Sequence, residues 1–166
     1  MKFYFAVLGL IVSIANIGAQ VVTHGGVKVV TDRRSNRACT GAITKNGDTI
    51  VLHYEGFIDD SSASGVHGKL FDSSLRRNKP LEFILGVGQV IKGWDEGLVG
   101  LCLGEKSTLT VPPQLGYGNA GFGKHVPAGA TLKYVVDVIG VNHDRLPVED
   151  EPNVFGEMDT NGDNRI

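Results

Sequence analysis

Residues 89–98 read QVIKGWDEGL and contain the one good helix candidate of the chain. Their apolar side chains, with one further leucine, recur at spacings of three to four and so share one helix face: Val90, Ile91, Trp94, Leu98 and Leu101. The charged side chains lie on the opposite face: Lys92, Asp95 and Glu96. Gly97 and Gly100 limit the length of the element. The segment therefore predicts a short amphipathic helix that carries the only tryptophan of the chain.

Segments with the composition of β-strands lie on both sides of this helix. The two longest, at 49–57 and 131–141, are rich in β-branched and aromatic residues. Polar turns and loops separate them from shorter predicted strands at 27–29, 69–73, 81–85 and 107–111. This order predicts an α+β fold in which a twisted antiparallel β-sheet covers one short α-helix.

The overall composition favours one globular domain with a short appendage. The chain has 166 residues, and domains cluster near roughly 100–150 residues. Its 23 glycines are scattered rather than periodic, which indicates many turns between short strands. A formal net charge of -2 offers little attraction to a phosphate backbone, so no nucleic-acid partner is expected.

The first 19 residues have the pattern of a secretory signal peptide. Lys2 precedes an almost entirely apolar run at 3–17, and the small residues Gly18 and Ala19 follow it. The run is shorter than the roughly 20 apolar residues of a membrane-spanning helix. An uncleaved anchor stays as the alternative. We expect cleavage near Asn16 or Gln20, delivery to the endoplasmic reticulum lumen or the outside of the cell, and no membrane attachment after cleavage.

Cys39 and Cys102 are the only cysteines of the chain. In an oxidising compartment an even number of cysteines favours one intramolecular bridge. A pair of buried free thiols is the alternative. A metal site or a redox pair is less expected, because neither cysteine has a Cys-x-x-Cys partner or a nearby histidine.

The C-terminal segment differs in composition from the rest of the chain. From Asn142 onward the sequence becomes acidic and polar, so we place the domain at 20–143 and a tail at 144–166. Residues 155–166 resemble the start of an EF-hand, in which the first, third and fifth loop positions supply oxygen ligands to calcium. Those positions hold Asp159, Asn161 and Asp163.

The EF-hand pattern of the tail is incomplete. Asn164 stands at the loop position that usually holds glycine, and the sequence stops before the bidentate glutamate of position twelve. We therefore expect calcium binding only if a longer chain completes the loop. The alternative is an acidic tail that carries the pattern by chance.

Six motifs resemble, in order and spacing, the domain of the FKBP-type peptidyl-prolyl cis/trans isomerases, the tacrolimus- and rapamycin-binding immunophilins. They are VLHYEG at 51–56, LFDSS at 70–74, RNKP at 77–80, QVIKGWDEG at 89–97, LGYG at 115–118 and VPAGATL at 126–132. The resemblance extends from about residue 27 to residue 141. It implies a sheet wrapped around the short helix, with a shallow apolar pocket between them. It also implies a disulfide of the secretory branch, which ties the segment before the second strand to the end of the helix.

The resemblance assigns the pocket residues. Trp94 is expected to form the floor, and the walls are expected to be Tyr54, Phe71, Phe83, Val90, Ile91, Val126 and Tyr134. The Tyr117 hydroxyl and the Ile91 N–H are expected to donate hydrogen bonds to the substrate backbone. Asp72 is expected to act beside Tyr54, with Arg77 as its partner. Each aromatic residue taken singly could instead be ordinary core, because large aromatic side chains are usually buried for packing.

Three departures from the family pattern are expected to change selectivity more than activity. Leu81 stands where the family commonly has a pocket aromatic, and Phe122 stands where small members often have histidine. The loop at 57–69 is longer than in the smallest members. We expect these differences to alter the preference for the residue before proline and the affinity for macrolides.

The implied reaction needs no nucleophile and no cofactor. Rotation about an X–Pro bond removes amide resonance, against a barrier of roughly 18–20 kcal/mol. The twisted amide is less polar than the planar amide, so an apolar pocket binds it better. The implied partners are proline-containing polypeptides and tacrolimus- or rapamycin-type macrolides, bound by a monomer. The alternative is a chaperone module that holds proline-containing segments with little turnover.

Overall fold

A computed structural model describes residues 20–31, 39 and 41–146 of the chain. The predicted signal peptide at 1–19 and the predicted calcium ligands Asp159, Asn161 and Asp163 lie outside this part. In the described part, no helix is long and apolar enough to cross a membrane.

Antiparallel strands and one short helix make up the fold, as predicted. In chain order the elements are β1 (Gln20–His24), β2 (Val27–Thr31), β3 (Thr49–Ile58), β4 (Leu70–Ser73), β5 (Leu81–Ile84), α1 (Lys92–Gly97), β6 (Lys106–Val111), β7 (Leu132–Val141) and β8 (Asp144–Arg145). A 3₁₀ turn, Pro113–Leu115, follows β6. The strand order is β1-β2-β6-β7-β3-β4, with β5 paired to β3 and β8 paired to β7.

The core lies between the helix and one face of the sheet. Along β7 the residues alternate between buried and more exposed positions, as expected of a strand with one covered face. The buried residues of α1 are Gly93, Trp94 and Gly97. A Cβ atom at Gly97 would lie 2.8 Å from Leu109 and 2.9 Å from Val27, so glycine lets the helix approach the sheet closely. This close contact presents Trp94 to the centre of the sheet.

The helix is shorter than its apolar face predicts. Val90 and Ile91 precede α1, while Leu98 caps it and Leu101 lies beyond it. Gly100 has a left-handed backbone, with φ of 84°, which stops the helix from continuing. The predicted face therefore includes residues of the flanking segments, and those segments carry part of the candidate site.

The N-terminal hairpin is longer than its sequence predicts. Strands β1 and β2 pair from Gln20 with Thr31 to His24 with Val27. Gly25 and Gly26 form the turn with φ values of 54° and 96°, which favour glycine. The sequence pattern predicts only 27–29, because β1 is largely exposed and has little alternation to detect.

The Cys39–Cys102 disulfide is present, which confirms the predicted pairing and excludes the alternative of free thiols. Its Cα atoms are 5.8 Å apart. Beside it, the Thr44 N–H donates to the Leu101 carbonyl, and the Leu103 N–H donates to the Ala42 carbonyl, both at 2.9 Å. The bridge therefore joins the segment before β3 to the segment that follows the helix.

Candidate active site

An open cleft of about 390 Å³ lies between the helix and the sheet. Its lining comes from β3, β4, β5, β7, the helix and two loops: Tyr54, Asp72, Leu81, Gln89, Val90, Ile91, Trp94, Tyr117 and Tyr134. Most of these side chains are aliphatic or aromatic, and Asp72 is the only acid among them. The cleft thus combines apolar walls with a few polar groups, as small-ligand sites commonly do.

Trp94 lies at the base of the cleft and is only 4% exposed. Its ring meets Tyr54 edge-to-face at 5.0 Å and Tyr134 edge-to-face at 5.1 Å between ring centroids. Such aromatic pairs add about 0.5–1.5 kcal/mol each beyond the area that they bury. Within the described residues, the Trp94 Nε1–H has no acceptor. The base of the cleft is therefore apolar and held rigidly by interlocked rings.

Tyr54, Asp72 and Arg77 form a hydrogen-bonded group on one wall. The Tyr54 hydroxyl donates to Asp72 Oδ2 at 2.5 Å, and Arg77 Nη2 donates to the Tyr54 hydroxyl at 2.9 Å. Arg77 Nη1 also forms an ion pair with Asp72 Oδ1. Antiparallel pairing of β3 with β4 places Gly56 opposite Asp72 and so aligns the two strands that carry Tyr54 and the acid. The predicted partnership of Arg77 with Asp72 is present in the structure.

This group is fixed in one protonation state near neutral pH. Burial alone would raise the Asp72 pKa, but hydrogen bonds from Tyr54 and Arg77 outweigh burial and lower it. Burial, followed by the hydrogen bond to Asp72, raises the pKa of Tyr54. Asp72 is therefore a carboxylate and Tyr54 a neutral phenol, so the pair orients the wall rather than exchanging protons.

The low pKa of Asp72 predicts a pH-dependent contribution to stability. A carboxylate with a depressed folded-state pKa stabilises the fold above its unfolded-state pKa of about 3.9, and this stabilisation disappears as the pH falls through the lower folded-state value. Asp72→Asn should therefore reduce the free energy of unfolding at pH 7 by no more than about 1 kcal/mol, because the carboxylate is partly exposed and solvent screens its ion pair. Urea titrations from pH 7 to pH 2 should show that difference shrinking below pH of about 4.

The exposed Asp60 provides the control for this prediction. Asp60→Asn should leave the difference from the wild type near zero across the same pH range, since surface substitutions usually change stability by less than about 0.5 kcal/mol. If the difference in the free energy of unfolding between the wild type and Asp72→Asn stays constant as the pH falls, the ionised role of Asp72 is contradicted.

Ile91 presents its backbone at the start of the helix. It is the N-cap residue, with φ of -58° and ψ of 149°, and its carbonyl accepts the N–H of Trp94 at 2.9 Å. Among the residues that the structure describes, no acceptor takes the Ile91 N–H. Because Ile91 lines the cleft, this N–H is available to an acceptor placed there.

Tyr117 follows the 3₁₀ turn and also lines the cleft. Phe122 stacks on its ring at 4.8 Å, with an angle of 21° between the ring planes, and is 63% exposed. Phe122 and Val126 exchange both backbone hydrogen bonds, at 2.8 and 3.1 Å, which holds the loop. Burial raises the pKa of the nearby Tyr134 well above its ordinary value, so that phenol stays neutral.

The structure brings most of the predicted site residues to one cleft and places the others behind or beside it. The predicted residues that line it are Tyr54, Asp72, Leu81, Val90, Ile91, Trp94, Tyr117 and Tyr134. Gln89 also lines it and was missed by sequence reasoning, although it opens the motif at 89–97.

Five predicted binding residues are not part of the lining of this cleft: Phe71, Arg77, Phe83, Phe122 and Val126. Phe71 packs edge-to-face on Tyr134 at 5.7 Å, and Phe83 packs on Trp94 at 5.9 Å. Val126 is 3% exposed and belongs to the core. Arg77 forms an ion pair with Asp72, and Phe122 stacks on Tyr117. The spacing of residues in the sequence does not show which side chains line the cleft and which pack behind those side chains.

Comparison with known proteins gives consistent matches. Residues 41–139 match the family model for FKBP-type peptidyl-prolyl cis-trans isomerases. FK506-binding protein 2 of Aspergillus fumigatus is 51% identical over 106 residues, which are 62% of this chain and 74% of the relative. FK506-binding protein 2 of Dictyostelium discoideum is 38% identical over 142 residues, which cover 86% of this chain and 100% of the relative.

Two solved structures have similar folds. The crystal structure of AtFKBP13 superposes with a TM-score of 0.59 and 32% identity, over 73% of this chain and 98% of that one. FkpA from Escherichia coli superposes with a TM-score of 0.60 and 34% identity, over 75% of this chain and 52% of that one. The strand order and single short helix described above are thus those of a known fold.

Proposed function

The chain belongs to the FKBP-type peptidyl-prolyl cis-trans isomerase family, and from this membership we propose that its cleft catalyses rotation about X–Pro bonds in polypeptide clients of the secretory pathway. The observation that carries the proposal is the pairing of an aromatic cleft base with an unpaired donor at its rim. Trp94, Tyr54 and Tyr134 supply the apolar base. The Ile91 N–H supplies the donor.

The geometry supports catalysis by differential binding of the twisted amide. A planar X–Pro amide is charge-separated by resonance, and rotation removes this polarity. Transfer from water into an apolar cleft therefore disfavours the planar form more than the twisted form. The Ile91 N–H and the Tyr117 hydroxyl hold the backbone on either side of proline, which fixes the geometry of the bound peptide.

The polar wall has a supporting role in this mechanism. Asp72 and Arg77 keep the Tyr54 ring in contact with Trp94. Neither group exchanges a proton near neutral pH, because the lowered pKa of Asp72 keeps it ionised and the raised pKa of Arg77 keeps it protonated. No general acid, nucleophile or cofactor enters the reaction. Leu81 replaces a ring at the cleft edge, and Phe122 extends the apolar surface outward beside Tyr117. Both features set the preference for the residue that precedes proline.

FKBP-family proteins bind proline-containing segments and macrolides such as FK506, and we extend both ligand classes to this cleft. Two relatives at 51% and 38% identity are named FK506-binding protein 2. The cleft offers the apolar walls and the rim donor that a pipecolyl- or prolyl-like ring with adjacent carbonyls requires. The protein acts as a monomer in this proposal.

A secretory address is supported by the disulfide and by the first 19 residues. Disulfides persist in oxidising compartments and are rare in the cytosol, and the exposed Cys39 is paired with Cys102. The apolar run at 3–17 has the pattern of a signal peptide. We further propose a domain at 20–143, and calcium binding by Asp159, Asn161 and Asp163 only in a longer chain that completes the EF-hand.

A protease-coupled assay on an X-Pro peptide tests the function. Submicromolar protein should accelerate the cis-to-trans phase, and stoichiometric FK506 should abolish the acceleration. FK506 binding without acceleration at micromolar protein would contradict the isomerase and support the alternative of a holding module.

Ile91→Pro is the sharpest substitution for testing the rim donor. The Ile91 φ of -58° already suits proline, so this change removes the N–H at a φ that proline adopts. A substrate carbonyl left without its donor costs about 1–3 kcal/mol, so kcat/KM should fall about ten-fold or more. Ile91→Val keeps the N–H and should retain kcat/KM within about three-fold. Equal activities for the two variants would exclude the donor role.

A further inference from the structure

The segment between β5 and α1, residues 85–91, forms one wall of the cleft through Gln89, Val90 and Ile91. Gly86 and Gly88 within it have left-handed backbones, with φ values of 84° and 78°, and the intervening Val87 side chain is 58% exposed. The segment therefore has little apolar packing of its own between its ends. Its position must come from hydrogen bonds.

Asp95 makes three of those hydrogen bonds from the first turn of the helix. Its Oδ1 accepts the Gly86 N–H at 2.8 Å, and its Oδ2 accepts the Gly88 N–H at 2.9 Å. Its own N–H donates to the Ile91 carbonyl at 3.3 Å. One residue thus contacts both the middle and the end of the segment. Hydrogen bonds to an ionised acceptor are roughly twice as strong as neutral ones.

Two further contacts hold the β5 side of the segment. Leu85 is completely buried and exchanges backbone hydrogen bonds with the turn at 45–48. Gln89 Oε1 accepts the Ile84 N–H at 2.8 Å, which closes the segment onto the end of β5. Because these anchors hold Leu85 and Gln89, the middle of the segment depends on Asp95.

We propose that Asp95 is a positioning residue that holds the 86–91 wall in its binding-competent conformation through Gly86 and Gly88. Asp95 does not line the cleft, so it acts through the wall and not on the substrate. The proposal rests on the proposed isomerase function. Without Asp95 the wall must be ordered at each binding event, and that cost reduces affinity.

The expected kinetic signature separates positioning from chemistry. The wall contacts the substrate in both the ground state and the transition state, so a loose wall removes uniform binding. Uniform loss raises KM and leaves kcat nearly unchanged. A general loss of folding would instead reduce the active fraction and lower kcat.

Substitutions at Asp95 and at its neighbour Glu96 test this inference. Asp95→Ala removes both acceptors, Asp95→Asn keeps one acceptor oxygen, and Asp95→Glu keeps two. Glu96→Gln is the matched control, because Glu96 is an exposed acid on the same helix turn without a hydrogen bond to the segment in the described part of the chain. If Asp95→Ala fails to fold, Asp95→Asn and Asp95→Glu carry the comparison.

Two kinds of readout are required: binding and steady-state kinetics first, and amide hydrogen exchange second. FK506 affinity is measured from the fluorescence of Trp94, the only tryptophan, together with KM and kcat on an X-Pro peptide. We expect Asp95→Ala to weaken FK506 binding and raise KM about ten-fold, with Asp95→Asn intermediate and kcat within about two-fold of the wild type. Asp95→Glu and Glu96→Gln should stay within about three-fold in all three constants.

Amide hydrogen exchange is the second readout and needs no activity. Exchange at Gly86 and Gly88 should accelerate in Asp95→Ala and not in Glu96→Gln, since local opening frees these N–H groups. An active wild type with Asp95→Ala unchanged in KM and FK506 affinity would overturn the positioning role alone. A wild type that neither binds FK506 nor isomerises the peptide would overturn the proposed function itself, and the positioning role with it.

Discussion

Removing the Cys39–Cys102 disulfide is expected to lower the free energy of unfolding by up to about 4 kcal/mol, because the bridge closes a long loop in the unfolded chain. The two cysteines are separated by 63 positions in the sequence. Chain-entropy models give a larger effect for longer loops, and measured values are commonly 2–4 kcal/mol, which is about the range we expect here. Urea unfolding of the Cys39→Ala/Cys102→Ala double variant measures the difference.

The native structure around the bridge has its own hydrogen bonds, so the loss should leave the cleft intact. The Thr44 hydroxyl donates to the Leu98 carbonyl at 2.6 Å and accepts the Leu101 N–H at 2.8 Å, in a completely buried position. We therefore expect FK506 affinity of the double variant to stay within about two-fold of the wild type.

Reduction provides the control for the disulfide prediction. A thiol reductant should destabilise the wild type toward the stability of the double variant and leave the double variant itself unchanged. A loss of less than about 1 kcal/mol would show that the unfolded state is already constrained near the bridge. A large loss of FK506 affinity in the folded double variant would show that the bridge shapes the cleft.

Gly93→Ala is expected to destabilise the fold by about 2 kcal/mol, even though alanine is the better helix former. Helix propensity alone predicts stabilisation of about 1 kcal/mol. However, a Cβ atom at Gly93 would lie 2.4 Å from Val111 Cγ1 and 3.2 Å from the Leu115 carbonyl oxygen. Val111 is fully buried in β6 and packed among core residues, so yielding to a new methyl group would disturb that packing. We therefore expect overpacking to outweigh helix propensity. The sign of the change in the free energy of unfolding decides between the two effects.

Two companion variants test the cause of this destabilisation. Lys92→Ala changes an exposed side chain of the same helix and should alter stability by less than about 0.5 kcal/mol. Val111→Ala removes the obstructing methyl groups, so in the double variant with Gly93→Ala the two losses should be less than additive by at least about 1 kcal/mol. Additive losses, or a stabilised Gly93→Ala protein, would contradict the close approach of helix and sheet.

The fold was predictable wherever the sequence pattern is strong. The long strands β3 and β7 have β-branched and aromatic runs that strongly favour strands, but their pairing with each other was established only by the structure. The hairpin of β1 was not predictable, because its side chains are mostly exposed and carry no alternation. The limits of the helix were obscured because Val90 and Ile91 continue its apolar spacing although their backbone is not helical.

The sequence predicted most of the residues that form the site, but not which of them line the cleft and which lie behind it. The motifs contain seven of the nine residues that line the cleft, including Gln89, and Leu81 and Tyr134 lie just outside them. Sequence order does not show which side chains face the cleft and which lie behind it. Phe83 packs on Trp94 and Val126 is buried in the core, and both positions depend on three-dimensional packing. The contacts of Asp95 with Gly86 and Gly88 were also hidden, because an acid on a helix face usually indicates only a solvated surface.

Exchange NMR on a short X-Pro peptide tests the central claim most directly, because it observes cis and trans peptide without a coupling protease. Catalytic amounts of the protein should increase the rate of exchange between the cis and trans peptide, seen as exchange cross-peaks or line broadening of the paired resonances. Without catalysis the two forms interconvert in roughly 10–100 s. One equivalent of FK506 should restore the uncatalysed rate. Unchanged exchange in the presence of folded, disulfide-bonded protein would contradict the assignment of the cleft as a prolyl isomerase site.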